Sequence, residues 1–397
     1  MSTKTVMIIG AGIGGLCAGI ALRRIGFEVR IFEKVREVRP VGAGLSLWPN
    51  GIQCLHHLGL GAQIRDLGGQ MERMAYIDGL TGETMCAFPL TPLWNSAGIR
   101  GYPVARAATQ EMLMDVFGRE HIALGMRLVA LQEEGAQVLA RFADGTESRA
   151  DFVIGADGAH SLVRDHLLGP LERRYAGYVN WNGIVDMDAA IAPADCWTTF
   201  VAQGKRASIM PIGAGENGQG RFYFFFDQPM PAGDTPARED YKSLLQGCFS
   251  GWAEPVQRLI AAADAGAINR VEIHDIDPFS TWAKGRICLL GDSAHNTTPD
   301  LGQGACMAIE DAVVLEEKLR GTDDIPAALQ AYQQARAARC ADLVLRARAR
   351  CDVTHGVDPV VTERWYDELR HETGAAILAG IAKTVEGSPV YAEFAAG

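Results

Sequence analysis

Paired cysteines, blocks of basic residues and long apolar runs are all missing from this chain, and each absence removes a class of function. The nine cysteines are scattered, with no CxxC or CxxxxC spacing. That excludes a dithiol redox centre of the disulfide-reductase type and is expected of reduced cytoplasmic thiols. Lys and Arg number 37 against 48 Asp and Glu, a formal charge of -11 without a basic cluster, so nucleic acid and anionic membranes are not expected partners. No apolar run is long enough to span a membrane. The N-terminal stretch TVMIIGAGIGGLCAGIAL looks at first like a targeting segment. It holds five glycines and is followed by Arg23-Arg24 instead of a small-residue cleavage site, so it is read as strand, turn and helix. His56-His57 has no ligand partners at useful spacing, and no metal site is expected.

What is present is ordinary globular composition, 397 residues with 48% hydrophobic, enough for two or three domains. Thr5 to Ile9 reads as a buried parallel strand, Gly14 to Ile25 as a helix and EVRIFEK as the next strand. Between the first two lies Gly10-Ala11-Gly12-Ile13-Gly14-Gly15, a G-x-G-x-x-G turn. Without side chains the backbone can turn tightly and bring free amides at a helix N-terminus up to a pyrophosphate. Glu33, 18 residues past Gly15, is the carboxylate expected on a ribose. Only this one dinucleotide fingerprint occurs. From about Tyr175 to Asp275 aromatics become dense and turns frequent, with RFYFFFD as the clearest strand, which predicts an antiparallel sheet inserted into the first domain. Arg286 to Leu290 returns to the buried strand type, and Ile325 to Arg350 has helical spacing.

GADGAHSLVR (Gly155 to Arg164) and RICLLGDSAHNTTPDLGQGACMAIEDA (Arg286 to Ala312) resemble the flavoprotein aromatic hydroxylases, single-component FAD monooxygenases. The match falls on Asp157, Gly158, Ser161 and Arg164 in the first segment and on Gly291 and Asp292 in the second. The resemblance implies an α/β fold: a Rossmann-like FAD-binding domain (residues 1–75, 103–174 and 276–350) with an inserted, mainly antiparallel β-sheet substrate domain (76–102 and 175–275). Helices close the chain (351–397). It implies FAD contacts from Gly10, Gly12, Gly14, Gly15, Glu33, Lys34, Ser46, Arg106, Leu128, Asp157 and Asp292. Gln303, Gly304, Ala305, Cys306 and Met307 are expected at the flavin, with His295 packed nearby. Thr109 departs from the family, which usually has Leu there, and the turn GAGENGQG is longer than usual. NADH or NADPH is expected as a transient reductant, with O₂ as co-substrate and a flavin hydroperoxide as the hydroxylating species.

RRYAGYVNWNGIVD, WTTFVAQGKRASIMP and RFYFFFD closely resemble the urate-hydroxylating branch of that family. The resemblance makes Arg206 and Tyr223 catalytic candidates, with Asn180, Gly302 and Gln303 also at the substrate. Read alone, Arg206 is a surface salt-bridge partner, Tyr223 a core residue and Asn180 a turn residue. A guanidinium suits a planar anion because it offers a fork of donors and stays charged. Lys205 is expected to be solvated. The implied reaction is urate to 5-hydroxyisourate in the cytoplasm. The alternatives are the same chemistry on salicylate, hydroxynicotinate or another aromatic acid, and a flavin-binding sensor without turnover. Nothing in the sequence fixes an oligomeric state.

Overall fold

The structure is a computed structural model that describes residues 3–37, 43–215 and 218–395. Its first layer grows from the apolar strand Thr5–Ile9, which pairs in parallel with Phe152–Gly155 on one side and Glu28–Glu33 on the other. Ile287–Leu289 and Ile122–Leu124 extend this sheet in parallel, and the short Ala283–Lys284 adds an antiparallel edge. Helices Ile13–Arg24 and Gly304–Leu319 pack together beside it. Their contact needs a glycine, because a Cβ on Gly14 would lie 2.7 Å from Leu290 and 3.0 Å from the Ala308 Cβ.

The chain leaves this sheet after Gly155 and returns at Ala283. In between it builds most of a seven-stranded sheet, ordered 269–276, 173–187, 220–229, 205–214, 196–202, 73–78 and 84–89. All neighbours are antiparallel except 196–202 with 73–78. Alternation divides the aromatic strand between two faces. Phe222, Phe224 and Phe226 join Val179, Trp181 and Ile209 in one apolar core. Tyr223 and Phe225 face the opposite way, onto a cavity. The apolar face is covered by helices Tyr241–Cys248 and Glu254–Ala262, through Leu245, Val256, Leu259 and Ile260. Both are too short for their pattern to stand out among the sheet's own aromatics.

Two expected boundaries fall inside elements. Residue 75 lies within strand Arg73–Asp78, which pairs along its length with Cys196–Val201 and so belongs to the seven-stranded sheet. Residue 350 lies within helix Ile325–Thr354, which continues unbroken towards that sheet. This helix is anchored by buried charge. Arg336 pairs with Glu310 at 2.8 Å and Asp311 at 2.7 Å, and Arg339 with Glu310 at 2.8 Å. Burial pushes the Asp311 carboxyl up, but His295 and Arg336 outweigh it and hold it down at about 2. Among the described residues, no helix is long and apolar enough to cross a membrane.

Candidate active site

A cavity of about 660 Å³ runs from the glycine turn of the first sheet to the polar face of the second. At its first end, helix Ile13–Arg24 begins with no side-chain cap and no acidic residue in its first turn, leaving amides for an anion. The four glycines there have different reasons to be glycine. Gly10 sits at φ +109, and a Cβ on it would meet the Ala156 carbonyl oxygen at 2.3 Å; a Cβ on Gly15 would meet the Gly10 carbonyl oxygen at 2.1 Å. Gly12 alone of the four would meet no atom of the described residues within 4 Å, because it faces the cavity. The Glu33 carboxylate is held against this turn by the amides of Ala11 at 2.8 Å and Val35 at 3.0 Å.

The two later motifs are tied to each other. Ser161 donates to Asp157 at 2.5 Å and caps the helix Leu162–Leu168 by accepting from the Arg164 amide at 2.9 Å. Burial pushes the Asp157 carboxyl up, against the hydrogen bonds from Ser161 and Val163. The buried Arg164 then bonds the carbonyls of Ala159 at 2.9 Å and Ser293 at 3.3 Å, joining one motif to the next. Gly291, at φ +66, donates to Asp311 at 3.0 Å and turns the exposed Asp292 onto the cavity wall. Beyond it, Asn296 and Thr298 line the same wall, and their buried Oδ1 and Oγ1 have no partner among the described residues. An uncapped helix start, a glycine facing open space and unpartnered polar atoms along one wall are what a long, polyhydroxylated dinucleotide requires. The residues fit FAD.

Of the expected cofactor residues, Gly12, Gly14, Gly15, Ser46 and Arg106 line the cavity, as do Asp292, Gly304 and Ala305. Gly10, Glu33 and Asp157 stand just behind this wall and shape its turns. Lys34 is exposed and Leu128 buried in strand Leu128–Glu134, both away from the lining. Cys306 and Met307 point into the core. Gln303 turns inward and accepts from Asn50 at 2.9 Å, while its neighbour Gly302 reaches the cavity at φ +62, where a Cβ would lie 2.6 Å from Ser46 Oγ. His295 is not at the wall either, because it is buried against Asp311 at 2.7 Å. His295, Asp311 and Cys340 cluster like metal ligands, but the Arg336 guanidinium already lies against Asp311 and Cys340, which disfavours a cation there. Thr109 satisfies its buried hydroxyl on the Ala105 carbonyl at 3.0 Å. In the long turn 213–220, residues 216–217 lie outside the described residues.

The far end is built by cross-strand register. Gln203 and Gly204 are both left-handed, at φ 54 and φ 67, and make the two-residue turn that suits the twist of a hairpin. That turn sets Arg206 opposite Val201, and pairing with the next two strands puts Asp227 opposite Arg206 and Asn180 opposite Asp227. The buried guanidinium donates through Nε to Asp227 at 2.6 Å and through Nη2 to Asp300 at 3.0 Å. Its Nη1 has no partner among the described residues, and the side chain lines the cavity. Burial disfavours the charged guanidinium, but Asp227 and Asp300 reverse this and raise its pKa. Burial likewise pushes Asp300 up, and Arg206 and His355 overcome it to hold that carboxyl well below the usual range. Asn180 donates to Asp227 at 2.7 Å and accepts from Asn182 at 2.6 Å. The Tyr223 ring covers Gly44, where a Cβ would come within 2.3 Å, and burial raises its hydroxyl pKa so that it stays protonated.

Lys205 is not solvated. Its ammonium donates to the Cys248 carbonyl at 2.8 Å, at the C-terminal end of helix Tyr241–Cys248. The sequence reading also missed Asp227, Tyr178 and His355, and gave Asp300 no role beyond opening a helix.

The FAD binding domain family model matches residues 3–347. The chain is 52% identical over 389 residues to the FAD-dependent urate hydroxylase of Mycolicibacterium vanbaalenii, covering 97% of each. It is 50% identical over 385 residues to the FAD-dependent urate hydroxylase of Klebsiella pneumoniae, covering 97% of this chain and 99% of that one. The crystal structure of Klebsiella pneumoniae HpxO complexed with FAD and uric acid superposes with a TM-score of 0.94 at 49% identity, covering 98% of each chain.

Proposed function

Because the chain belongs to the FAD-binding-domain family of aromatic hydroxylases, we propose that it hydroxylates urate to 5-hydroxyisourate with O₂ and NADH. It is a flavin monooxygenase. The single observation that carries the urate reading is the buried Arg206, held between Asp227 and Asp300 with one edge left towards the cavity.

FAD, once bound, supplies hydride acceptance and oxygen activation. The chain's own residues bind, orient and shield. The amides after Gly12 would hold the pyrophosphate, Glu33 a ribose and Asp292 the ribitol chain. Arg206 stays charged at every accessible pH, so it cannot act as a base. It holds the purine anion by its free edge and favours the electron-rich form that attacks activated oxygen. Tyr223, kept protonated, donates to the purine rim. Phe225, Met210 and Trp197 form an apolar wall that keeps water from the reacting carbon. The nicotinamide reductant docks transiently, consistent with one dinucleotide fingerprint. All nine cysteines are unpaired, which supports a reducing, cytoplasmic setting.

The test is substrate-dependent NADH oxidation by the purified holoprotein. Urate should stimulate it with matching 5-hydroxyisourate formation. Tight coupling with salicylate and none with urate would sink the reading, and no turnover with any aromatic acid would favour a sensor.

A further inference from the structure

Asp300 sits between the Arg206 guanidinium and the His355 imidazole. Its Oδ1 lies 3.0 Å from Arg206 Nη2 and 3.3 Å from His355 Nε2, and its Oδ2 accepts from Tyr178 at 3.0 Å. The imidazole contact is out of line for a full hydrogen bond, so it is chiefly electrostatic. His355 follows helix Ile325–Thr354, is buried, does not line the cavity and stacks on Tyr178 with ring centroids 3.8 Å apart. Arg206 against Asp227 and Asp300 leaves this cluster one negative charge in excess when the imidazole is neutral. An anion entering the cavity would then meet a buried site of its own sign.

We propose that His355 is a positioning residue for urate hydroxylation, holding a proton that neutralises the Asp227–Arg206–Asp300 cluster so that the urate anion can bind. The inference rests on the urate reading above. His355 acts through Asp300, drawing off that carboxylate's charge while Arg206 keeps an edge for substrate. The other groups packed around it do not exchange protons near neutrality. Burial pushes the Tyr178 hydroxyl up, and burial followed by Asp300 does the same to the Cys351 thiol. Asp300 stays ionised and Arg206 stays charged. Gly204 of the hairpin turn lies against the His355 backbone, and its amide donates to the Tyr366 hydroxyl. An imidazole is the one side-chain type in this cluster whose ordinary range spans neutrality.

The experiment measures urate affinity of the FAD-loaded protein by flavin absorbance from about pH 6 to 8.5, the span across which an imidazole deprotonates. Turnover is followed in parallel. In the wild type, urate Kd and KM should rise on the order of tenfold across this span, as for one charge acting across about 12 Å at an effective permittivity near 20. His355→Gln keeps the side chain's bulk and a donor but cannot take up a proton. Its KM should be high and flat with pH, with a smaller change in kcat and with FAD retained. A pH-independent wild-type Kd would overturn the proposal, as would a His355→Gln profile that follows the wild type. The wild-type measurement stands even if the variant does not fold. Absence of any urate signal in the wild type would overturn the urate reading itself, a distinct outcome.

Discussion

Replacing Arg206 by Gln should expose the two carboxylates it holds, and the cost can be bounded from the structure. The guanidinium is the cation shared by buried Asp227 and Asp300, at 2.6 and 3.0 Å. Removing one partner of a buried ion pair costs about 3–5 kcal/mol. Here the cost has a ceiling, because a stranded carboxylate can take up a proton instead. At pH 7, about three units above an ordinary Asp pKa, that costs about 4 kcal/mol, and at pH 5 about 1.5 kcal/mol. The remaining donors, Asn180 on Asp227 and Tyr178 on Asp300, reduce the loss, so about 3 kcal/mol is expected at pH 7. The sign of the pH dependence then inverts. In the wild type the folded Asp300 pKa is depressed, so its contribution is complete above the unfolded value and is lost only as pH falls towards the folded one. In the variant a carboxyl pKa is raised, so stability increases as pH falls from 7 to 5. Urea unfolding in saturating FAD at both pH values measures this, and Asp300→Asn added to Arg206→Gln should recover much of the loss at pH 7. Urate binding should be lost while FAD stays bound. Equal stability of variant and wild type, or an unchanged pH slope, would show that the ion network does not form. Loss of FAD would place Arg206 at the wrong end of the cavity.

Gly12→Ala should leave the apoprotein's stability within about 1 kcal/mol, since the new methyl meets no protein atom, yet weaken FAD binding at least about tenfold in a flavin titration. Normal FAD affinity would remove the pyrophosphate from this turn. Tyr223→Phe should raise urate KM by about five- to tenfold, the worth of one buried hydrogen bond, with FAD content unchanged; an unaltered KM would make Tyr223 a packing residue. Lys205→Met should cost about 0.3–1 kcal/mol in thermal unfolding through the lost helix-end contact, with urate KM unchanged. A large rise in KM would mean that both cations of the basic pair serve the anion.

The dinucleotide end was legible because its chemistry is local. A strand, four glycines and a helix start lie within twenty residues, and each glycine answers to a nearby backbone, to packed side chains or to open space. The inserted sheet was legible from its aromatic alternation, but the two short helices on its apolar face were not, because they are too short to show a period against that background. Arg206 was found by resemblance, and its partners were not found at all. Asp227 is 21 residues away and Asp300 is 94, so their contact depends on hairpin register and on how a turn of the first domain meets the second sheet. Both carboxylates read individually as unremarkable acids. Lys205 was misjudged for a similar reason, since the helix end it caps was not visible from its own stretch. His355 lies beyond the boundary expected at 350, just past the end of helix Ile325–Thr354.

The central claim is that oxygen from O₂ is placed on urate. The direct measurement is turnover under oxygen-18 gas with NADH and urate, followed by mass spectrometry of the freshly formed product. One labelled oxygen per molecule of 5-hydroxyisourate, formed in step with NADH consumed, is the predicted result. Unlabelled product, or urate left unchanged while salicylate is hydroxylated with tight coupling, would contradict it.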